Sequence, residues 1–312
     1  MPQAEPHPDV LTHPAPRLLL ATRPAFLTAS GWAALLGLAS ADFAGAMVQL
    51  VPAVLVVVGA LVIHAGVNVL NDYYDALNGT DAVNRDRIFP FTGGSRFIQN
   101  GVLTPLQAAR LGWLLLALGA LVGLYLAWRT GPGLLGLGLA GLLLGWGYSA
   151  HGPRLNARGL GEVSVVLGFG AFIPLGAFWV ATGSPAVWPL AVGLPYGLLV
   201  LNLLFVNQFP DNRADAAAGK RHLVVRLGPS RARWLYGVFA GAAYVGTALA
   251  VAADWLPLPA LAALLPAWLS LRAWRDVLRW AETPAFLEPA IRRTITALTA
   301  YAFILLPVLV FD

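Results

Sequence analysis

Nine apolar segments, each close to the length that crosses a bilayer, constrain this chain more than any other feature. A helix needs about 20 apolar residues to span the hydrocarbon core. Such runs fall at about 23–41, 47–71, 106–128, 132–150, 160–181, 187–209, 233–253, 255–272 and 291–311. Short Gly- and Pro-containing connectors blur the ends of the fourth and the eighth. Only 11% of the 312 residues are charged, against about 25% in soluble domains, so the runs have no soluble alternative. The expected fold is all-α and polytopic: nine transmembrane helices forming a single domain over 17–312. Ahead of it lies a Pro-rich, polar tail over 1–16, which reads as disordered.

Charge distribution tests this count. With the N-terminus in the cytoplasm, all of the 20 Lys and Arg residues except Arg129 fall on the cytoplasmic side. Removing one span scrambles that pattern in the later loops. The same rule accounts for the net charge of +5 without a nucleic-acid partner. With no cysteine, disulfides, thiolate zinc sites and cysteine nucleophiles are excluded. The expected location is the cell (inner) membrane, with no obligate protein partner evident.

Two polar clusters end apolar segments on that cytoplasmic side. In NVLNDYYD, Asn68, Asp72 and Asp75 follow at steps of four and three, which puts them on one face of a helix. NQFPDNRAD repeats the arrangement with Asn207, Asp211 and Asp215. Carboxylate and amide oxygens are hard ligands that suit Mg²⁺, which is normally held by one or two carboxylates plus substrate phosphates. Four aspartates in two clusters thus suggest two Mg²⁺ ions bridging a diphosphate. Solvated helix ends are the plainer alternative, but ionisable groups within membrane helices are rare and functional, and here they occur as a matched pair.

Long loops follow both clusters, at about 76–104 and 210–232, and are candidate lids. The first carries Asp81, Arg85, Arg87 and then GGSR, ending at Arg96; the second carries the chain's only lysine, Lys220, beside Arg221. Cationic side chains with Gly-rich backbone amides suit the oxygens of a leaving diphosphate. Topology alone also demands basic residues here. His64 lies one turn before Asn68, where it either orients the first cluster or an acceptor or simply packs against a neighbouring helix. Glu162 opens the fifth segment, where the helix dipole favours a carboxylate whether or not an acceptor lies near.

The stretches NDYYDALNGTD (71–81), DRIFPFTGGSRFIQNGVLTP (86–105), GPRLNARGLGEVSV (152–165) and NQFPDNRADAAAGKRHLVVRLG (207–228) resemble the UbiA superfamily of intramembrane prenyltransferases. Within it they look like the MenA-like branch, which prenylates 1,4-dihydroxy-2-naphthoate in menaquinone synthesis. His222 stands where that branch usually carries Thr, and Leu155-Asn156 after GPR is a second departure. The resemblance implies nine helices around a central cavity that opens sideways to lipid. It implies one Mg²⁺ at Asn68, Asp72 and Asp75 and another at Asn207, Asp211 and Asp215. Diphosphate would be held by Lys220 and by the basic loop residues Arg87, Arg96 and Arg221. Arg23 and Tyr148 match family positions lining the site, and His64 and Glu162 are further candidates near the acceptor. The implied reaction is Mg-dependent transfer of a polyprenyl group from an allylic diphosphate to an aromatic acceptor. 4-Hydroxybenzoate, homogentisate or a glycerol-phosphate lipid are alternative acceptors. A cation-coupled transporter is the rival of another class, although transporter sites lie nearer the bilayer midplane.

Overall fold

The computed structural model describes residues 4–311, which are helical with no strand. In chain order the α-helices are α1 (Pro14–Ala21), α2 (Pro24–Phe43), α3 (Leu50–Leu77), α4 (Thr80–Val83), α5 (Pro105–Thr130), α6 (Gly133–Ser149) and α7 (Gly161–Leu167). A π-helical turn (Gly168–Phe172) leads into α8 (Ile173–Thr182), followed by α9 (Leu190–Ala217), α10 (Leu223–Leu227), α11 (Pro229–Ala252), α12 (Ala267–Trp280) and α13 (Glu288–Phe311). Among the described residues, seven stretches are long and apolar enough to cross a membrane: α2, α3, α5, the α7–α8 run, α9, α11 and α13. α6 is apolar but has only 17 residues, about 25 Å of helix.

The eighth predicted span has a different construction. A 3₁₀ segment, Leu258–Leu264, is followed by α12, which continues to Trp280. Pro257, Pro259 and Pro266 punctuate the stretch; three prolines within ten residues each remove a backbone donor, and here the chain divides instead of continuing as one helix. α12 is amphipathic, with Ser270, Ala273 and Val277 buried and Arg272, Arg275 and Arg279 turned away from the core.

Of the tail predicted at 1–16, residues 1–3 lie outside the described residues. From Ala4 onward the backbone makes a turn at His7–Leu11 and enters α1 at Pro14. Glu5 reaches the loop after α4: its carboxylate accepts from Arg87 Nε at 2.8 Å and from Asn100 Nδ2 at 3.1 Å.

Local chemistry explains several boundaries. Thr104 and Gln107 form a reciprocal capping box at the start of α5, with Pro105 in the first turn, where its missing N–H is not needed. α3 and α9 both run past their predicted ends, to Leu77 and Ala217, so each polar cluster sits on a helix and not in the loop beyond it.

α9 is the central helix. Of its apolar window 72% is buried, against 17% for α3. It contacts α2, α7, α11 and α13, and Gly197 brings it against the π-turn so closely that a Cβ there would lie 2.6 Å from the Gly170 Cα. Small residues at such crossings let backbones approach where the surrounding lipid gives no hydrophobic drive. The π-turn carries an extra residue in its ring. Phe169, on that turn, stacks edge-on against His64 of α3, with ring centroids 5.1 Å apart.

Candidate active site

The two polar clusters converge. α3 and α9 end at the same face, and Lys220, just beyond α9, bridges them: its Nζ lies 3.0 Å from Asp75 Oδ2 and 2.9 Å from Asp215 Oδ1. Burial opposes the Lys220 charge, but the two carboxylates outweigh it and hold the ammonium above the usual lysine range. Asp215 also meets His222 Nε2 at 3.1 Å. His222 Nδ1 accepts from the Val225 backbone N–H at the start of α10, so Nε2 carries the proton donated to Asp215.

A glycine loop folds over the aspartates. Gly93, Gly94 and Arg96 all have positive φ. The Ser95 N–H donates to both Asp72 oxygens, at 3.3 and 3.2 Å, and the Gly93 N–H to Asp211 Oδ2 at 3.4 Å. Gly94 is required twice over. Its φ of +73° disfavours a side chain, and a Cβ would run into Asp81 Oδ2 and lie 3.1 Å from Asp72 Oδ1. Asn84 completes the seam with a 2.6 Å bond to Asp211 Oδ1.

These groups surround a small polar pocket lined by Asp75, Asp81, Asp211, Asp215, Lys220 and His222, among others. Beneath it lies an apolar cavity of about 670 Å³, walled by α3, α5, α6, the α7–α8 run and α9. Arg23, Asn71, Tyr148 and Asn207 line both, so the two chambers share a wall of polar side chains. Leu124, Leu135 and Leu139 line the cavity and are also exposed on the outer apolar surface, so the chamber opens sideways between α5 and α6.

The remaining candidates take distinct places. Asn68 and His64 line the apolar chamber, and Asn68 Nδ2 donates to the Thr22 carbonyl at 3.0 Å. Arg23 caps α2 with a φ of +58°, a conformation rare outside glycine and disfavoured further by the following Pro24. It is held by a 3.0 Å bond to the Phe91 carbonyl and by its guanidinium lying 4.5 Å from the Phe26 ring centroid. Strain of this kind collects at functional sites.

Arg87, Arg96 and Arg221, expected to hold diphosphate, do not line the polar pocket. Arg87 packs over Gly93 and bonds the Asn84 carbonyl at 2.7 Å, and Arg96 bonds the Asp81 carbonyl. Both therefore brace the glycine loop from behind. Arg221 is exposed. Glu162 lines neither chamber; its Oε1 accepts from Gln208 Nε2 at 3.1 Å and from the Leu223 N–H at 2.8 Å, tying α7 to α9 and α10.

Sequence reasoning did not place Asp81, Asn71, Asn84 or Gln208 in the site. Asp81 is the most informative of these. Burial, reinforced by the charges of Asp75 and Asp72, pushes its carboxyl well above the usual range. Its signal was present in NGTD: an acidic residue two positions after the glycine that turns the chain out of a membrane helix.

No three acidic or histidine side chains among the described residues converge on one point as a ready-made metal site, but the donor chemistry suits a hard divalent cation shared with substrate phosphates. Besides the aspartates, the side-chain oxygens of Asn84, Asn207 and Gln208 are buried and bonded to nothing among the described residues, although all three residues line the polar pocket. Unpaired buried acceptors facing carboxylates are what a magnesium ion and its water would satisfy.

Comparison with known proteins decides the identity of this arrangement. Residues 26–291 match the UbiA prenyltransferase family. This chain belongs to that family. It is 33% identical over 251 residues to a 1,4-dihydroxy-2-naphthoate octaprenyltransferase of Mycobacterium tuberculosis, covering 80% of this chain and 82% of the relative. A protein of the same name from Escherichia coli is 30% identical over 291 residues, covering 91% and 92%. A UbiA homolog from Archaeoglobus fulgidus, solved bound to DMAPP and Mg²⁺, superposes with a TM-score of 0.56 at 16% identity, covering 93% of this chain and 99% of the homolog; the two share a fold. The enzyme is thus a multi-pass membrane polyprenyltransferase.

Proposed function

We propose that the enzyme transfers a polyprenyl group from an allylic prenyl diphosphate to 1,4-dihydroxy-2-naphthoate, with loss of the ring carboxylate. The observation that carries this reading is the shared wall. A polar pocket of aspartates and one lysine opens across Arg23, Asn71, Tyr148 and Asn207 into an apolar chamber of about 670 Å³. A charged head and a long hydrocarbon tail on one molecule match that pair of chambers. The names of the M. tuberculosis and E. coli relatives support the acceptor, and the ligands of the A. fulgidus homolog support the donor and the metal.

Asp72, Asp75, Asp211 and Asp215, with Asn68 and Asn207, would hold magnesium, and we assign two ions to them. Bound magnesium would neutralise charge on the diphosphate as it leaves. Lys220 already lies between Asp75 and Asp215 and presents its ammonium to the same pocket. The loop amides of Gly93 and Ser95 donate to Asp211 and Asp72 and so fix the carboxylates that would hold the metal. The apolar chamber keeps water from an allylic cation until the ring attacks it. Placement in the cytoplasmic membrane, with the polar pocket and the N-terminus on the cytoplasmic side, rests on the distribution of Lys and Arg.

Purified enzyme incubated with farnesyl diphosphate, Mg²⁺ and each candidate acceptor tests the assignment. Prenylated product with 1,4-dihydroxy-2-naphthoate alone is expected. Product with 4-hydroxybenzoate, homogentisate or a glycerol-phosphate lipid in its place would replace the acceptor. Cation flux without product from any acceptor would favour the transporter reading.

A further inference from the structure

His64 is the group lining the apolar chamber whose chemistry the site does not yet use, and its hydrogen bonds define it atom by atom. Its Nδ1 lies 3.0 Å from Ser30 Oγ on α2. A hydroxyl has one hydrogen, and that of Ser30 is donated to the Leu27 carbonyl at 2.9 Å. Ser30 can therefore only accept from the imidazole, so the proton sits on Nδ1, as assigned from this network. The lone pair is then on Nε2. No hydrogen bond from the described residues reaches Nε2, and the ring is held in its plane by Phe169.

The surroundings sharpen the point. The polar residues that line the apolar chamber are Arg23, His64, Asn68, Asn71, Tyr148, Ser164 and Asn207. Arginine stays protonated, amides and hydroxyls are poor proton acceptors, and no carboxylate lines this chamber among the described residues. His64 is the one such side chain with a basic lone pair. It lies one turn, about 6 Å along the axis, from Asn68 and so at the depth where the pocket of aspartates gives way to hydrocarbon.

We infer that His64 is a catalytic residue, the base that takes the hydroxyl proton of the acceptor as the ring attacks. This rests on the acceptor proposed above. The proton moves from the hydroxyl ortho to the carboxylate-bearing carbon onto Nε2. That ring carbon supplies the electron pair of the new bond to the prenyl C1, while the C1–O bond breaks and its pair leaves with diphosphate. Loss of the carboxylate as CO₂ returns a pair to the ring, restoring aromaticity as a phenolate. The phenolate takes the proton back from Nε2. The imidazole thus holds one proton through the step and ends as it began, with no oxidant or further acid needed.

Steady-state kinetics of His64→Asn and His64→Gln, with farnesyl diphosphate, Mg²⁺ and 1,4-dihydroxy-2-naphthoate, test the role. Asn keeps a donor near Ser30 and Gln keeps the bulk, but neither offers a basic nitrogen. Both should lower kcat by about a hundredfold while the affinity for farnesyl diphosphate, measured separately by calorimetry, stays at the wild-type value. Added imidazole should raise kcat of His64→Ala, which a purely structural role would not produce. Unchanged kcat in either conservative variant, or a raised acceptor KM at constant kcat, overturns the role while leaving the proposed function standing. A wild-type enzyme that prenylates no acceptor overturns both.

Discussion

The Lys220 ammonium lies 3.0 Å from the Asp75 carboxylate although 145 residues separate them. Through its second contact, to Asp215 at 2.9 Å, it joins the ends of α3 and α9 with a single positive charge. Breaking a buried ion pair from one side is strongly destabilising because a charge is left without compensation. Lys220→Met should therefore lower the stability of metal-free enzyme by about 3 kcal/mol. Added Mg²⁺ should raise Tm more in the variant than in the wild type, since the ion restores the missing charge. Equal Tm values in EDTA would show that the bridge carries no weight.

Asp72 and Asp211 sit on different helices and each accepts from the glycine loop. Asp72→Ala and Asp211→Ala should each reduce prenyl transfer by more than about a hundredfold, the loss expected when metal stabilisation of several kcal/mol is removed. Size-exclusion profiles should stay those of the wild type. Full activity in either variant would remove that cluster from the site. Chelation by EDTA should stop the wild type, and Mg²⁺ should restart it.

Gly94 is where loop conformation and aspartate approach coincide. Gly94→Ala places a methyl group against Asp81 and Asp72 in a left-handed conformation that disfavours it by about 1–2 kcal/mol. The expected result is a raised KM for prenyl diphosphate, read from initial rates, because the amides that fix Asp72 and Asp211 shift with the loop. An unchanged KM would separate the loop from the donor.

Gly141 lies on the α6 wall of the chamber, where an added Cβ would meet only the Phe172 ring, at 3.8 Å. Filling that space with Gly141→Phe should shift the preference in kcat/KM toward geranyl diphosphate over longer donors. Competition between donors of different length, resolved by mass spectrometry, reads the shift directly. Identical product ratios would place the tail elsewhere.

Glu5 is held by the arginines that brace the loop from behind. Burial works against its charge, but the bonds from Asn100 and Arg87 prevail and hold its carboxyl below the usual range. A depressed carboxyl supports a contact that is fully formed above the ordinary glutamate value and is lost as pH falls through the lower, folded value. Protection of residues 5–11 against hydrogen exchange, taken relative to the intrinsic rate at each pH, should therefore hold at neutral pH and fall below about pH 4. Glu5→Gln should give fast exchange even at neutral pH.

The helices were legible because apolar length is written directly in sequence, and the helical spacing of Asn68, Asp72 and Asp75 survives in α3. What sequence hid were contacts made at a distance. Arg87 looked like a diphosphate clamp because loop charge beside acidic clusters has that meaning locally. Its partner Glu5 lies 82 residues away, in a segment whose composition shows no structure. Asp81 and Asn84 enter the site because left-handed Gly79 turns the chain out of α3 into α4, which packs against both α3 and α9. The proline-punctuated stretch before α12 was long enough for a span by hydropathy, but period and length could not show that it divides into a 3₁₀ segment and an amphipathic helix.

α6 has a consequence for the lipid around the enzyme. Its 17 residues reach about 25 Å, short of the roughly 30 Å of a typical hydrocarbon core. Such a mismatch is relieved by local thinning of the bilayer or by drawing the helix ends inward. Because α6 borders the side opening at Leu135 and Leu139, the thinned patch lies at the mouth of the chamber. Lipid acyl length thereby becomes a physical variable of this protein: longer acyl chains around it raise the mismatch at the side opening of the apolar chamber.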